Sequence, residues 1–416
     1  MPTVSFTTSG ALQKSALRQA NERLVLNSIR RHPGISRAEI ARIMALSSTS
    51  VTFVVNRLRK NRLIVEQKLG NGSHAGRPPT ALRIRTDAMW AVGVEIAQPT
   101  SRVVLVDLAG NVKKQETVPW QVSPELFLHK LHSTIRKVAQ PCRSETMLGV
   151  GVSMPGTIDK ASGRVIAAEN IGWFGVDVGR LLRRRLRWPF FYENDANVSA
   201  LAEHWFAPLE SDRFRYFVYV RLRTGVGTGV VVDGRPLHGV SSAVAEFGHV
   251  MLYPDGRPCS CGNRGCWEQY ASEGALLRSY QELGSAKRKN ETPIDSETLI
   301  QLARAGDKRA LKALRTTASY LALGMVNLVA ALNPQAIILG EPMVSAWDLV
   351  EETIREELRK RVPPYALSDL RVLPSQLGAD SALRGAAALP LAHYFTRFDH
   401  GKEDALPNRV AIEAHV

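Results

Sequence analysis

Three of the chain's four cysteines fall within eight residues, Cys259-Ser260-Cys261-Gly262-Asn263-Arg264-Gly265-Cys266, with His249 ten residues upstream of the first. Thiolates and an imidazole at this density suit a tetrahedral, coordinatively closed zinc site, and the two glycines let the chain turn tightly around the ion. Trp267-Glu268 follows directly, so a metal here would fix the position of Glu268. The alternatives are three unliganded reduced thiols, a catalytic thiol or a redox pair. Cys142 stands alone and reads as inert. Four cysteines in 416 residues do not make a disulfide scaffold, and a reducing cytoplasm is the expected compartment.

Charge divides the chain in two. The sequence carries 54 Lys and Arg against 39 Asp and Glu, a formal charge of +15. From Met1 to Arg85 there are 15 basic residues and 3 acidic ones, which places +12 on that stretch and +3 on the rest. A basic head on a near-neutral body reads as a polyanion-binding module joined to something else. No apolar run approaches the roughly 18 residues of a membrane span, and the N-terminus lacks a signal-peptide core. No membrane partner is expected.

The head has helical punctuation. Asn21–Arg31 carries Leu24, Val25, Leu26 and Ile29, enough for an amphipathic helix that stops before His32-Pro33-Gly34. Ser36-Arg37-Ala38-Glu39 is a capping box opening a helix over Arg37–Met44. After a turn at Ala45-Leu46-Ser47, a third helix is predicted from about Ser48 to Lys60. Its inner stripe is Val51, Val54 or Val55, and Leu58, and Asn61 suits a left-handed terminating residue.

Two helices joined by a tight turn match a helix-turn-helix. Ser48, Thr49, Ser50, Thr52 and Asn56 lie off the inner stripe, short enough to meet base edges and phosphates, and Arg37 opens the preceding helix. Leu63–Glu66 and Ala81–Ile84 read as two strands around the Gly/Pro-rich loop Gly70–Thr80, a wing from which Arg77 can enter a minor groove. Operator DNA is the expected partner; the competing reading is a small helical domain for protein contacts. A second cluster, Arg180, Arg183, Arg184, Arg185 and Arg187, is interleaved with Leu181, Leu182 and Leu186 and reads as one solvated helix face.

From Trp90 onward strands and helices alternate. Strands are expected at Ala91–Ile96, Ser101–Asp107, Leu148–Ser153, Phe217–Arg223 and Ala336–Leu339, with helices over Pro124–Ala139 and Ala310–Leu332. The pattern implies α/β domains whose sheets are covered on both faces, with ligand groups at the carboxyl ends of strands. Three constellations sit at such ends. Tyr192–Asn197 gathers Asp195, Asn194 and Asn197, suited to the hydroxyls of a polyol, and Asp195 can also act as a general base. Thr224–Gly229 is a glycine-rich turn of the kind that exposes N–H groups to phosphate. Glu246-Phe247-Gly248-His249 adds a second carboxylate and an imidazole.

Over essentially the whole chain these segments resemble the ROK family of repressors, open reading frames and sugar kinases. The resemblance rests on Cys259-x-Cys261-Gly-x-x-Gly-Cys266-x-Glu268, Glu246-x-Gly-His249, Asn194-Asp195-Ala196-Asn197, the 224–229 segment and Leu377–Ala382. It implies an α/β, actin/hexokinase-like body of two lobes closing over a cleft, preceded by a winged helix-turn-helix in the family's repressor architecture. It also implies structural Zn2+ on His249, Cys259, Cys261 and Cys266, and sugar contacts at Asn194, Asp195, Glu246, His249 and Glu268. The expected organisation is a flexible segment over 1–20, the winged domain over 21–85, the body over 86–396 and a tail over 397–416.

Departures from the family pattern separate enzyme from regulator. Where family kinases carry an Asp-x-Gly-Gly-Thr phosphate loop, this chain has Glu95-Ile96-Ala97-Gln98-Pro99, with one N–H removed by proline. The adenosine turn reads Gly340-Glu341-Pro342. The expectation is a sugar-responsive regulator without catalytic residues, most simply a repressor released by a monosaccharide or derivative and acting as a homodimer or homotetramer. The alternative is an active ATP-dependent sugar kinase with an accessory DNA-binding domain. An activator, or a repressor that needs sugar as co-repressor, is equally compatible with the sequence.

Overall fold

The Ser36 hydroxyl accepts from the Glu39 N–H at 3.2 Å while the Glu39 carboxylate accepts from the Ser36 N–H at 2.8 Å, closing the anticipated capping box. That box starts the second of three helices in the head: α1 (Gly10–Arg31), α2 (Arg37–Ile43) and α3 (Ser48–Lys60). The computed structural model describes residues 10–68, 80–184, 186–207, 214–239, 245–284 and 294–396. The first helix begins at Gly10, so residues 10–20, expected as a flexible segment, are helical instead. A buried Ala20 and the Glu22–Arg57 ion pair at 2.9 Å tie its middle to α3.

Val25, Leu26 and Ile29 of α1, Ile40 of α2, and Val51, Val54, Val55 and Leu58 of α3 are all buried. Both candidate valines therefore belong to the inner stripe. Asn61 ends α3 in ordinary right-handed backbone, and the left-handed residue is Arg62, at φ 58°. The wing strands β1 (Ile64–Lys68) and β2 (Thr80–Ile84) pair antiparallel, Glu66 opposite Leu82.

The chain forms two compact units. Among the described residues, one comprises those within 10–89, 107–109 and 391–396; the other comprises those within 90–106 and 110–390. In the first, Phe395 is buried with the Arg30 guanidinium 5.7 Å above its ring, and Leu108 donates to the Thr86 carbonyl. Residues 391–396 thus cluster with the head, where the sequence reading carried the body to residue 396; the expected tail over 397–416 lies outside the described residues.

The second unit has two lobes. The first is built on β3 (Trp90–Glu95), β4 (Thr100–Asp107), β5 (Val112–Pro119), α4 (Pro124–Ala139) and β6 (Met147–Met154). It continues through the small sheet of β7 (Thr157–Asp159), β8 (Arg164–Ala168) and β9 (Trp173–Phe174), then α5 (Val178–Arg183) and β10 (Phe190–Asn194). The main sheet runs β10-β6-β3-β4-β5, with β10, β6 and β3 parallel and β4 and β5 antiparallel. The arginine cluster is not one helix face. Helix α5 stops at Arg183, whose guanidinium donates to the Ser162 carbonyl at 2.6 Å, and Arg185 lies outside the described residues.

The second lobe follows: α6 (Asp195–Phe206), β11 (Tyr216–Leu222), β12 (Val226–Val232), β13 (Arg235–Pro236), α7 (Glu268–Ala271), α8 (Glu273–Glu282) and α9 (Ser296–Arg304). It ends with α10 (Lys308–Leu332), β14 (Ala336–Leu339), α11 (Trp347–Arg361), α12 (Pro364–Leu367), β15 (Arg371–Pro374) and, as far as Pro390, α13 (Ser381–Thr396). Its sheet runs β13-β12-β11-β14-β15. Buried alanines and leucines of α10 pack on this sheet together with Trp267. The lobes join closely, since a Cβ on Gly151 of β6 would lie 1.9 Å from the Ala386 carbonyl of α13; within the second lobe, one on Gly385 would lie 1.8 Å from the Val198 carbonyl of α6. No helix among the described residues is long and apolar enough to cross a membrane.

Candidate functional site

Helix α3 presents its polar residues outward. Ser48, Thr49, Ser50 and Asn56 are exposed and Thr52 is half-buried. Ser47 is the cap, its hydroxyl accepting from the Ser50 N–H at 3.1 Å. Arg37 is turned toward α3 and the wing: it donates to the Asn56 side-chain oxygen at 3.3 Å and pairs with Glu66, which also meets Arg59 at 3.4 Å. Phe53 lies on the same helix, 55% exposed with Arg18 over its ring, and was missed by the sequence reading. A large apolar residue off the buried stripe was the signal. Arg77 lies outside the described residues.

In the second unit, all five residues expected to hold sugar line one cavity of about 350 Å3: Asn194, Asp195, Glu246, His249 and Glu268. Local structure explains each placement. Strand β10 ends at Asn194, which caps α6; its side-chain oxygen accepts from the Ala196 N–H at 2.8 Å and its amide donates to the Gly156 carbonyl at 3.1 Å. Asp195 is thereby the first residue of α6, where the helix dipole favours a carboxylate. Asn197 faces away, buried and donating to Glu193 at 3.0 Å, so the expected trio of polar groups is reduced to two.

The expected glycine-rich turn at 224–229 is mostly strand, since Val226–Val232 pairs with β11. Its glycines permit close approach: a Cβ on Gly229 would lie 2.5 Å from the Ala196 carbonyl, and one on Gly225 would lie 2.6 Å from the Glu268 carboxylate. Glu246 precedes the short helical turn Phe247–His249. Burial pushes its carboxyl pKa up, His249 opposes this, and the carboxylates of Asp195, Glu268 and Glu169 add to the rise.

Two arginines of the cavity escaped the sequence reading, Arg221 and Arg223. Arg221 is buried, its Nε 3.5 Å from Asp195 and its Nη2 3.5 Å from Glu95. Burial works against its charge, yet the Asp195 and Glu95 carboxylates hold its pKa above the ordinary value. A charged residue inside the apolar strand Tyr216–Leu222 was the available signal.

Beside the cavity, one ligand atom from each of His249, Cys259, Cys261 and Cys266 lies within 4.8 Å of all the others. Tetrahedral zinc with Zn–S near ~2.3 Å and Zn–N near ~2.0 Å needs ligand separations of roughly 3.5–3.8 Å. Cys261 Sγ and Cys266 Sγ are 3.7 Å apart, and Cys259 Sγ and His249 Nδ1 are 3.6 Å apart. All four cysteines are free thiols, and the group can bind a metal ion. Glu268 Oε1 lies 3.0 Å from Cys259 Sγ, linking this cluster to the cavity wall.

Known proteins match this architecture. The ROK family model matches residues 91–393, and a winged helix-turn-helix DNA-binding model matches residues 18–65. The chain is 30% identical over 384 residues to the xylose repressor of Bacillus spizizenii, covering 91% of this chain and 96% of that protein. A crystal structure of a ROK family transcriptional regulator, a homologue of the Escherichia coli Mlc protein, superposes with a TM-score of 0.76 at 24% identity, covering 91% of this chain and 97% of the other. The ROK family glucokinase of Streptomyces griseus, solved with glucose and AMPPNP, aligns at 28% identity with a TM-score of 0.65, over 72% of this chain and 98% of its own. With its two-lobed α/β body behind a winged helix-turn-helix, the chain belongs to the ROK family.

Proposed function

We propose that the protein is a sugar-responsive DNA-binding transcriptional regulator, a repressor released from its operator by a monosaccharide or a derivative of one. The observation that carries this reading is the meeting of Asn194, Asp195, Glu246, His249 and Glu268 in one small cavity, in a chain that also bears a winged helix-turn-helix. A polar cavity near the lower end of the usual ~300–1,000 Å3 suits a ligand the size of one sugar ring. Likeness to a xylose repressor over nearly the whole length supports the regulatory role.

In this mechanism the carboxylates of Asp195, Glu246 and Glu268 accept from sugar hydroxyls, and Arg221, 3.5 Å from Asp195, holds that carboxylate in position. Ala97, Gln98 and Pro99 deprive the first hairpin of the bare backbone that phosphate transfer needs. Cys259, Cys261, Cys266 and His249 hold zinc, which when bound serves as a structural crosslink keeping Glu268 and His249 in place. Ser48, Thr49, Ser50, Thr52 and Asn56 read the major groove, Arg37 orients Asn56, and Arg77 on the wing takes a minor groove.

Release is a population shift. Sugar closes the cleft of each body, and closure alters the spacing of two recognition helices in a dimer, which must lie roughly 34 Å apart to enter successive major grooves. A coupling of about 1–3 kcal/mol per site is sufficient. The test is selection of bound duplexes from a random pool with purified protein, followed by anisotropy titration with and without a monosaccharide panel. A selected sequence whose binding weakens with one sugar supports the reading. Failure to select any sequence overturns it, and ATP-dependent phosphorylation of a hexose establishes the kinase alternative instead.

A further inference from the structure

Five charged side chains form one continuous chain across the body: Asp380, Arg102, Glu95, Arg221 and Asp195. Arg102 of β4 reaches Glu95 Oε2 with Nε at 2.9 Å and Nη2 at 2.7 Å. The same guanidinium donates through Nη1 to Asp380 at 2.5 Å and through Nη2 to the Ala379 carbonyl at 2.7 Å. From the other side, Arg221 of β11 lies 3.5 Å from Glu95 Oε1 and 3.5 Å from Asp195. Three carboxylates and two guanidinium groups thus run from a half-exposed turn at Gly378–Asp380 to the floor of the sugar cavity.

The lobe membership of these groups matters more than their number. Glu95 and Arg102 belong to the first lobe, and Asp380, Arg221 and Asp195 belong to the second. The chain crosses between lobes twice, at Arg102–Asp380 and at Glu95–Arg221. Glu95 is 4% exposed, so parting the lobes strips a buried carboxylate of one of its two partners. Such a loss is strongly unfavourable, because the desolvation of the remaining charge is no longer offset. Every nitrogen of the Arg102 guanidinium is committed, and the fork geometry specifies one lobe arrangement more sharply than a lysine point charge would.

We infer that Arg102 and Asp380 form an interlobe clasp, which holds the sugar-free cleft toward the arrangement in which Asp195 meets its ligand. The inference rests on the sugar-responsive reading for its consequence, since the clasp then sets effector affinity through residues that do not touch the sugar. It does not rest on that reading for its existence.

The deciding variants are Asp380→Asn, which removes the second-lobe anchor while leaving Arg102 on Glu95, and Asp380→Glu, which retains the charge. Hydrogen exchange by mass spectrometry on full-length, sugar-free protein reads the clasp directly. In Asp380→Asn, peptides containing Thr100–Asp107 and Gly378–Asp380 are expected to exchange about tenfold faster, while α10 is unchanged and Asp380→Glu behaves as wild type. Calorimetric titration with whichever panel sugar the wild type binds is expected to show affinity weakened by about tenfold in Asp380→Asn. Exchange within twofold of wild type in both peptides overturns the clasp, whatever the affinity does. If no sugar binds the wild type, the effector reading fails while the exchange result still decides the clasp.

Discussion

Arg221 stands between two carboxylates from different lobes, 3.5 Å from Asp195 and 3.5 Å from Glu95. A buried guanidinium in this position neutralises the floor of the cavity and is itself held charged by both partners. Replacing it leaves Glu95 buried with only Arg102, and removes from Asp195 the guanidinium paired with it. Arg221→Met is expected to cost about 3 kcal/mol in urea unfolding. A loss below about 1 kcal/mol would show that the pair is dispensable.

Recognition by α3 separates into reading and anchoring. Thr49, Ser50 and Asn56 are exposed side chains without net charge, so substituting all three by alanine removes the proposed base-edge contacts and leaves every basic residue of the head in place. Discrimination between operator and scrambled duplex is expected to fall by about 1–3 kcal/mol per lost base contact, with non-specific affinity and its salt slope preserved. Sugar binding is expected to be unchanged. Retained discrimination in anisotropy titrations would remove α3 from the recognition role.

The Cys3His cluster gives a compositional test. Purified protein is expected to contain one zinc per chain, and Cys261→Ser to lose it, because a serine oxygen is a poor replacement for a thiolate at a structural site. Since Glu268 lies 3.0 Å from Cys259, the sugar-facing wall loosens with the metal, and effector affinity is expected to fall by about 10- to 100-fold. Metal analysis finding no zinc in freshly prepared wild type contradicts the assignment.

The parts of this architecture readable from sequence are those written locally. Ser36 and Glu39 announce α2 within four residues, and the cysteine spacing announces its cluster within eight. Readings failed where a local signal had a tertiary use. The glycines at 225–229 looked like a phosphate turn, but Gly225 makes room for Glu268 and Gly229 for α6. Asn197 looked like a ligand and instead supports Glu193 from a buried helix face. The Asp380–Arg102 link was illegible because its partners are 278 residues apart and only the meeting of two lobes makes them neighbours, whereas Glu95 lies 7 residues from Arg102 within one lobe.

A buried carboxyl outside the cavity supplies a pH signature. Burial pushes the Glu203 pKa above its ordinary value, opposed by hydrogen bonds from Ser375 and the Gln376 and Leu377 backbone. In the window between the unfolded value of 4.5 and that raised folded value, the native state binds more protons than the unfolded chain. Stability therefore falls as pH rises through the window. Glu203→Gln keeps a hydrogen-bonding side chain and removes the titration. Chemical denaturation from pH 4.5 to 8 is expected to show a shallower decline in the variant; an identical slope would exclude Glu203 as its source.

Gly225 offers the most direct probe of how the cavity is held open. A methyl group there would sit 2.6 Å from Glu268 Oε2, inside contact distance, and within 4 Å of no cysteine. Because Gly225 immediately precedes β12, whose first residue Val226 is paired with β11, the strain is more easily relieved by moving the carboxylate than by moving the strand. Gly225→Ala is accordingly expected to bind zinc at wild-type stoichiometry and to bind operator DNA normally. Its effector affinity is expected to drop by about tenfold, worth ~1.4 kcal/mol, as a hydrogen bond to Glu268 is lost. Calorimetric titration beside metal analysis separates this outcome from general unfolding, and an unchanged sugar affinity would place Glu268 outside the binding site.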